Sequence, residues 1–176
     1  MKLLKFPQLQ QSFDYDCGAK ALQAVLAYYG IEVSEGSIMQ QAKTNPKNGT
    51  EIKNIIKTAK KYCLKCKSKK MTIKEIKKFI DQGIPVILVL QAWTEKKKVD
   101  WKNDWIDGHY VVAIGYKKDQ VLFEDPSSLT KVYLEYNELE KRWHDIGING
   151  QKYYHYGIAI YGKKPETNIN KIVHMD

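Results

Sequence analysis

Arginine is almost missing from this chain. Arg142 is the only one among 29 lysines and arginines, so lysine carries nearly all of the positive charge behind the formal net charge of +9. Proteins that read nucleic acids rely on the planar guanidinium fork for phosphates and guanine edges. The lysines here are spread over 53–78, 96–102 and 163–171 without a dense tail. They read as solvated helix faces, and nucleic acid is not expected as a partner. Cysteine is also scarce: three is an odd number and too few for a disulfide scaffold, so a reducing compartment is expected. With 11 glycines and 5 prolines in 176 residues, the chain is neither collagen-like nor of low complexity. Its longest apolar stretch, Ile84 to Leu90, falls far short of the ~20 residues a membrane span needs. The segment Met1–Leu9 carries charges but no apolar run and no small-residue cleavage site. No secretion signal is read there, and the expected location is the cytoplasm.

What is present suits one globular unit. At 20.4 kDa and 43% hydrophobic residues, folding should bury roughly 70% of the unfolded surface. A single domain over 1–176 is expected, with a core over about 8–161 and a polar tail over 163–176. Leu22, Val25, Leu26 and Tyr29 recur at helical spacing after Asp16, with Gly30 as the stop, which predicts a helix from about 17 to 29. Ser34 caps a second helix to Lys43. A third follows the turn Asn48–Glu51, with Ile52, Ile55, Ile56 and Ala59 on one face. Leu64 to Met71 is a short strand candidate. Thr72 caps a fourth helix, which Gly83 ends. From Pro85 the period changes to two. Strands are expected at 86–90, 109–116, 120–124, 131–136 and 154–161, with a short helix over 137–143. A helical half followed by a strand-rich half indicates an α+β fold.

Cys17 stands at the first turn of the best-defined helix, where unpaired N–H groups and the helix dipole favour a thiolate. Gly18 and Ala19 leave room for a carbonyl to approach the sulfur. A nucleophilic thiol needs a base and a group that holds the base. His109 opens a strand, a rim position where an imidazole can face a cleft. Its strand and Val121–Asp125 look like two arms of a hairpin. A loop centred on Lys117 would set residues 109 and 125 directly opposite, about 4.5–5.5 Å apart, on one face. A two-residue turn at Lys118-Asp119 would shift the register by three and spoil that geometry unless a bulge intervened. Asp125 could then fix the tautomer of His109 and leave its other nitrogen for Cys17. Gln11, Gln10 and Gln8 are all near enough to offer an oxyanion donor beside the Cys17 backbone N–H, and spacing does not choose among them. The Trp93–Asp107 connection carries Trp93, Trp101 and Trp105 and reads equally as a cleft wall or as a lid over the core. Cys63-Leu-Lys-Cys66 lacks the second ligand pair of a zinc site and marks a helix end before a strand. No metal and no cofactor are expected.

Gln11-Ser-Phe-Asp-Tyr-Asp-Cys17-Gly-Ala-Lys-Ala-Leu22, together with Tyr28-Tyr29-Gly30, resembles the bacteriocin-processing (double-glycine leader) peptidases, which are papain-like cysteine peptidases. His109-Tyr-Val-Val and Glu124-Asp125-Pro126 fit that family's later motifs in order and approximate spacing, over roughly 8–161. The resemblance implies a helical half packed on an antiparallel sheet, with the site between the halves. It implies Cys17 as nucleophile, His109 as base and acid, Asp125 as orienter and Gln11 as oxyanion donor. Trp93, Trp105 and Gly108 become candidate substrate-binding residues. The expected activity is hydrolysis of leader-type or small-residue-containing peptides, and a separately encoded exporter is a possible partner. The chain has neither a membrane span nor a phosphate-binding loop, so it looks like the stand-alone branch. A related acyltransferase, transglutaminase or deamidase, or a peptide-binding module that does not cut, remains open at this point.

Overall fold

The structure, a computed structural model, describes residues 1–166 together with 172, 174 and 175, so part of the expected polar tail lies outside the described residues. In chain order the elements are β1 (Lys2–Leu3), α1 (Cys17–Tyr28), α2 (Glu35–Gln41), α3 (Ile52–Lys61), β2 (Lys65–Lys70), α4 (Ile73–Asp81) and β3 (Val86–Gln91). There follow β4 (Gly108–Tyr116), β5 (Gln120–Glu124), β6 (Val132–Glu135), α5 (Tyr136–Arg142), β7 (His144–Ile146), β8 (Lys152–Tyr154) and β9 (Tyr156–Tyr161). The strands form an antiparallel sheet in the order β2-β9-β3-β4-β5-β6, and β1 pairs with β4 at its far end. β7 and β8 make a separate hairpin. Helices α1 and α4 pack on β4, and α5 packs on β5 and β6. The α+β architecture expected from the change of period is the one observed.

Local chemistry explains most boundaries. Ser34 accepts the Ser37 N–H at the start of α2, and Thr72 with Glu75 closes a capping box on α4. Gly30 and Gly83 both adopt positive φ just past a helix. After α1, Gly30 N–H reaches Ala27 O and Ile31 N–H reaches Leu26 O, each at 2.9 Å. That pair of bonds is the Schellman arrangement, which a left-handed glycine permits. Helix α1 is buried almost all round, because Ala19, Ala21 and Ala24 let its axis approach the sheet while Leu22, Val25 and Leu26 fill the core. The outer strand β2 (KCKSKK) places lysines on a sheet edge, where charge discourages pairing with another chain. Cys63 follows the end of α3 and Cys66 lies in β2, so the C-x-x-C spacing straddles a helix-to-strand junction. Among the described residues no helix is long and apolar enough to cross a membrane.

Two short elements escaped the sequence pattern. β1 has only two residues, and its pairing replaces that of β3 along one edge of β4. It runs close to β4 where the partner is Gly115: a Cβ there would lie 2.7 Å from the Lys2 carbonyl. The β7–β8 hairpin turns through Gly147–Gly150, with Gly150 at φ +79. Its Asn-Gly pair is a turn signal that the surrounding Tyr-rich stretch obscured.

Candidate active site

Cys17 is the first residue of α1 and remains partly accessible. Asp16 occupies the cap position, yet its side chain does not cap the helix. Instead Oδ1 accepts the Phe13 N–H at 3.3 Å, and the carboxyl faces Glu35. Burial, reinforced by the hydrogen bond and negative charge of Glu35, pushes Asp16 up to about 6. Glu35 is itself held by Lys20 at 2.9 Å and by the Ser12 hydroxyl at 2.5 Å. The acid beside the thiol is therefore neutral over more of the acidic range than an exposed aspartate would be.

His109 and Asp125 come together through a register the sequence left undetermined. The β4–β5 turn is the two-residue Lys118-Asp119 type, with Tyr116 opposite Val121 and Lys117 N–H bonded to Gln120 O at 2.9 Å. Alone, that turn would put Asp125 on the face opposite His109. A bulge between Ala113 and Gly115 shifts the pairing by one, so Val112 faces Glu124 and Asp125 falls level with Val111. His109 and Val111 share a face, so the carboxylate lies diagonal to His109 and not directly across. Of the two registers the sequence left open, the two-residue turn with an intervening bulge is the one formed. The contact forms nonetheless: His109 Nε2 lies 2.7 Å from Asp125 Oδ1.

The remaining contacts define the imidazole. With Nε2 engaged by Asp125, Nδ1 is the ring nitrogen left for another partner, and Cys17 is among the groups whose proximity acts on the imidazole. Burial opposes the imidazolium, but the hydrogen bonds and charges of Asp125 and Cys17 outweigh it and raise His109 to about 10. Asp125 is correspondingly lowered: burial works against its charge, while the His109 bond and charge prevail. Oδ1 of Asp125 also accepts the Ser127 N–H at 2.8 Å, and Oδ2 accepts the Trp93 indole N–H at 2.8 Å. All three donors favour the ionised carboxylate.

Trp93 thus faces Asp125 and does not border the cleft at Cys17. Its backbone is left-handed, φ +55, which turns the indole back over the carboxylate. Trp105 and Gly108 do line the cleft, and Trp105 packs at a tilt against His144 with ring centres 4.5 Å apart. Trp101 lies against the Arg142 guanidinium at 3.8 Å. The connection between β3 and β4 is therefore divided among three jobs.

Gln11 is drawn to the loop after β5. Its N–H bonds Pro126 O at 2.9 Å, its amide oxygen accepts the Ser127 hydroxyl at 3.2 Å, and its amide nitrogen donates to Phe13 O at 2.7 Å. Gln8 donates to Ser128 O at 3.3 Å. Buried Glu124 holds the same segment by accepting the Leu9 N–H at 3.1 Å. Burial and the neighbouring Asp125 raise Glu124 to about 8.

The cleft beside Cys17 has a volume of about 570 Å³. One wall is the 47–51 loop with the start of α3, the other is Trp105–Gly108 with the β7–β8 hairpin, and Tyr110 also lines the cleft. Next to Cys17 the packing is tight: a Cβ on Gly18 would meet Thr50 at 2.8 Å and Tyr110 at 3.0 Å. Sequence reasoning missed the hairpin wall, including Asp145. His144-Asp145 sat in a polar segment with no periodicity to show which side chains turn inward.

The model of the Peptidase C39 family matches residues 5–152. The chain belongs to the Peptidase C39 family. It is a cysteine peptidase, a hydrolase, by that membership. A curated relative, the mesentericin transport/processing ATP-binding protein of Leuconostoc mesenteroides, is 26% identical over 155 residues. The match covers 83% of this chain but 20% of that protein, so the chain spans about a fifth of its relative's length. Among solved structures, a double-glycine motif protease from an AMS/PCAT transporter, in complex with the leader peptide, superposes with a TM-score of 0.67 at 21% identity, covering 91% of this chain and 94% of that one. A C39-like peptidase from Bacillus anthracis gives 0.67 at 21% identity, covering 94% and 100%. The peptidase domain of Streptococcus ComA gives 0.65 at 23%, covering 92% and 98%. At these identities the superpositions establish the shared fold.

Proposed function

We propose that this C39 peptidase cleaves peptides of the double-glycine leader type, with Cys17 as nucleophile, His109 as proton carrier and Asp125 as the group that orients it. The observation that supports the reading is the buried His109–Asp125 pair, Nε2 to Oδ1 at 2.7 Å, with Cys17 at the start of α1 among the groups that act on the imidazole. The Cys17 sulfur attacks a main-chain carbonyl carbon, and the oxygen becomes an oxyanion within reach of the Cys17 backbone N–H. We assign the second donor to Gln11, whose amide nitrogen carries a further N–H besides the one given to Phe13. His109 passes its proton to the leaving amine, the C–N bond breaks, and a thioester remains. His109 then takes a proton from water, which attacks the thioester and releases the carboxylate product and the free thiol. The tight packing around Gly18 supports small residues before the cut. We further propose that the protein works in the cytoplasm beside an exporter, in keeping with three free cysteines.

Alkylation and cleavage test this together. Iodoacetamide should label Cys17 much faster than exposed Cys63 or half-buried Cys66 near pH 7, and His109→Ala should slow that labelling. A synthetic leader peptide ending in Gly-Gly and extended beyond it should yield a new amino terminus by mass spectrometry. Equal labelling of the three thiols, or transfer or deamidation without a new amino terminus, would overturn the reading.

A further inference from the structure

Asp145 lines the same cleft as Cys17 and serves none of the chemistry above. It opens onto the cleft that contains Cys17, and it is packed so closely over β4 that a Cβ on Gly108 would sit 2.6 Å from its Oδ1. Only glycine at 108 leaves space for the carboxylate there. Gln91, the partner of Gly108 across the β3–β4 ladder, donates its amide nitrogen to Asp145 Oδ1 at 3.1 Å and to the His144 carbonyl at 3.1 Å. The carboxylate is thus aimed from behind by a fully buried amide.

Beyond the adjacent His144 imidazole, it lacks a counter-charge. Among the described residues no lysine or arginine pairs with Asp145, although lysines are plentiful and the neighbouring Glu51 of the opposite wall is matched by Lys53 at 2.8 Å. Burial, only partly offset by the Ile146 N–H and Gln91 hydrogen bonds and by the charge of His144, raises Asp145 to about 6. A half-buried carboxylate with no lysine or arginine partner is costly to ionise, and an arriving positive group would recover that cost. Exposed Ile106 and Ile148 flank the position and would exclude water once a peptide is seated.

Resting on the peptidase reading, we propose that Asp145 is a specificity residue that receives a positively charged group of the substrate, a lysine or arginine side chain or a free α-ammonium. Because Asp145 and Cys17 line one cleft of about 570 Å³, and an extended chain advances ~3.3–3.6 Å per residue, that group falls within a few residues of the cut.

The test uses the full chain and a proteome-derived peptide library whose lysines and amino termini are unmodified, with new termini read by mass spectrometry. The wild type should enrich lysine or arginine at one fixed position near the cut, or peptides cut close to their own amino terminus, and Asp145→Asn should lose that enrichment. Asparagine keeps an acceptor for Gln91, so folding is retained. The best-cut peptide is then remade with norleucine for lysine and, separately, with an acetylated amino terminus. One of these two changes should lower kcat/KM roughly tenfold or more in the wild type and less than twofold in Asp145→Asn. Norleucine sensitivity assigns the side chain, and acetyl sensitivity assigns the α-ammonium. Cleavage indifferent to both, or a preference that survives in Asp145→Asn, overturns the proposal while leaving the peptidase reading intact. If no peptide is cut, the peptidase reading fails, and retention on immobilised Cys17→Ala protein decides the matter. Cationic peptides held by it and released by adding Asp145→Asn support the site, and equal retention overturns it.

Discussion

Replacing Asp125 by asparagine keeps the shape beside His109 and removes the charge that holds its proton. In the wild type, Asp125 and Cys17 raise the imidazole from the ordinary 6.5 to about 10 despite burial. An opposite charge in direct contact accounts for roughly one to three pH units. The alkaline limb of kcat/KM, which follows loss of the His109 proton, should therefore move to lower pH by about that amount in Asp125→Asn. The same substitution sets two donors against each other. Oδ1 must stay toward His109 Nε2 and the Ser127 N–H, so the new amide nitrogen faces the Trp93 indole N–H across 2.8 Å. Trp93→Phe should then act with opposite sign in the two backgrounds. In the wild type it strips a charge-assisted hydrogen bond, worth ~1.5–3 kcal/mol, and lowers kcat about tenfold or more with little change in KM. In Asp125→Asn it removes the conflict and should leave kcat unchanged or raise it. The assay is a pH series of cleavage rates on one peptide, with thermal melts to confirm folding. An alkaline limb that does not move, or an equal Trp93→Phe loss in both backgrounds, would refute the account.

Further outcomes follow from buried acids and tight packing. Glu124 is raised to about 8, so the folded state binds its proton more tightly than the unfolded chain does. Its contribution to stability is full below the ordinary 4.5 and is lost as pH rises through about 8. Urea unfolding at pH 5 and 8.5 should show a fall of a few kcal/mol that Glu124→Gln removes; an unchanged slope would count against a neutral Glu124. His109 behaves likewise, its contribution being lost as pH rises from 6.5 through about 10. The Asp125→Asn melts should flatten over that range. Gly108→Ala must displace Asp145, because the new methyl would stand 2.6 Å from its Oδ1. It should lower kcat/KM more than it lowers Tm, and wild-type kinetics would show that the wall yields freely. Cys63→Ser and Cys66→Ser should leave cleavage within about twofold, since neither thiol borders the cleft.

The chain's local chemistry wrote much of this molecule in advance. Caps at Ser34 and Thr72, stops at Gly30 and Gly83, and the change of period after Pro85 were legible because each depends on residues within one turn or one strand. His109 and Asp125 were legible as a pair because a strand start and a strand end are positions with defined exposure. Asp16, by contrast, occupies a cap position and does not cap. Its partner Glu35 comes from another helix, and no local pattern announces a carboxyl pair.

Contacts between distant segments decided the rest. The bulge at Ile114, where Leu4 N–H bonds the bulged residue's carbonyl at 2.8 Å, determines whether Asp125 faces His109 at all. A strand's faces alternate residue by residue, so one extra residue reverses the answer, and nothing within the hairpin sequence specifies that residue. Trp93 became a partner of Asp125, and Asp145 a wall of the cleft, for the same reason. The direction of a loop side chain is set by whichever distant donor or gap will accept it, and that is known only once the sheet has closed.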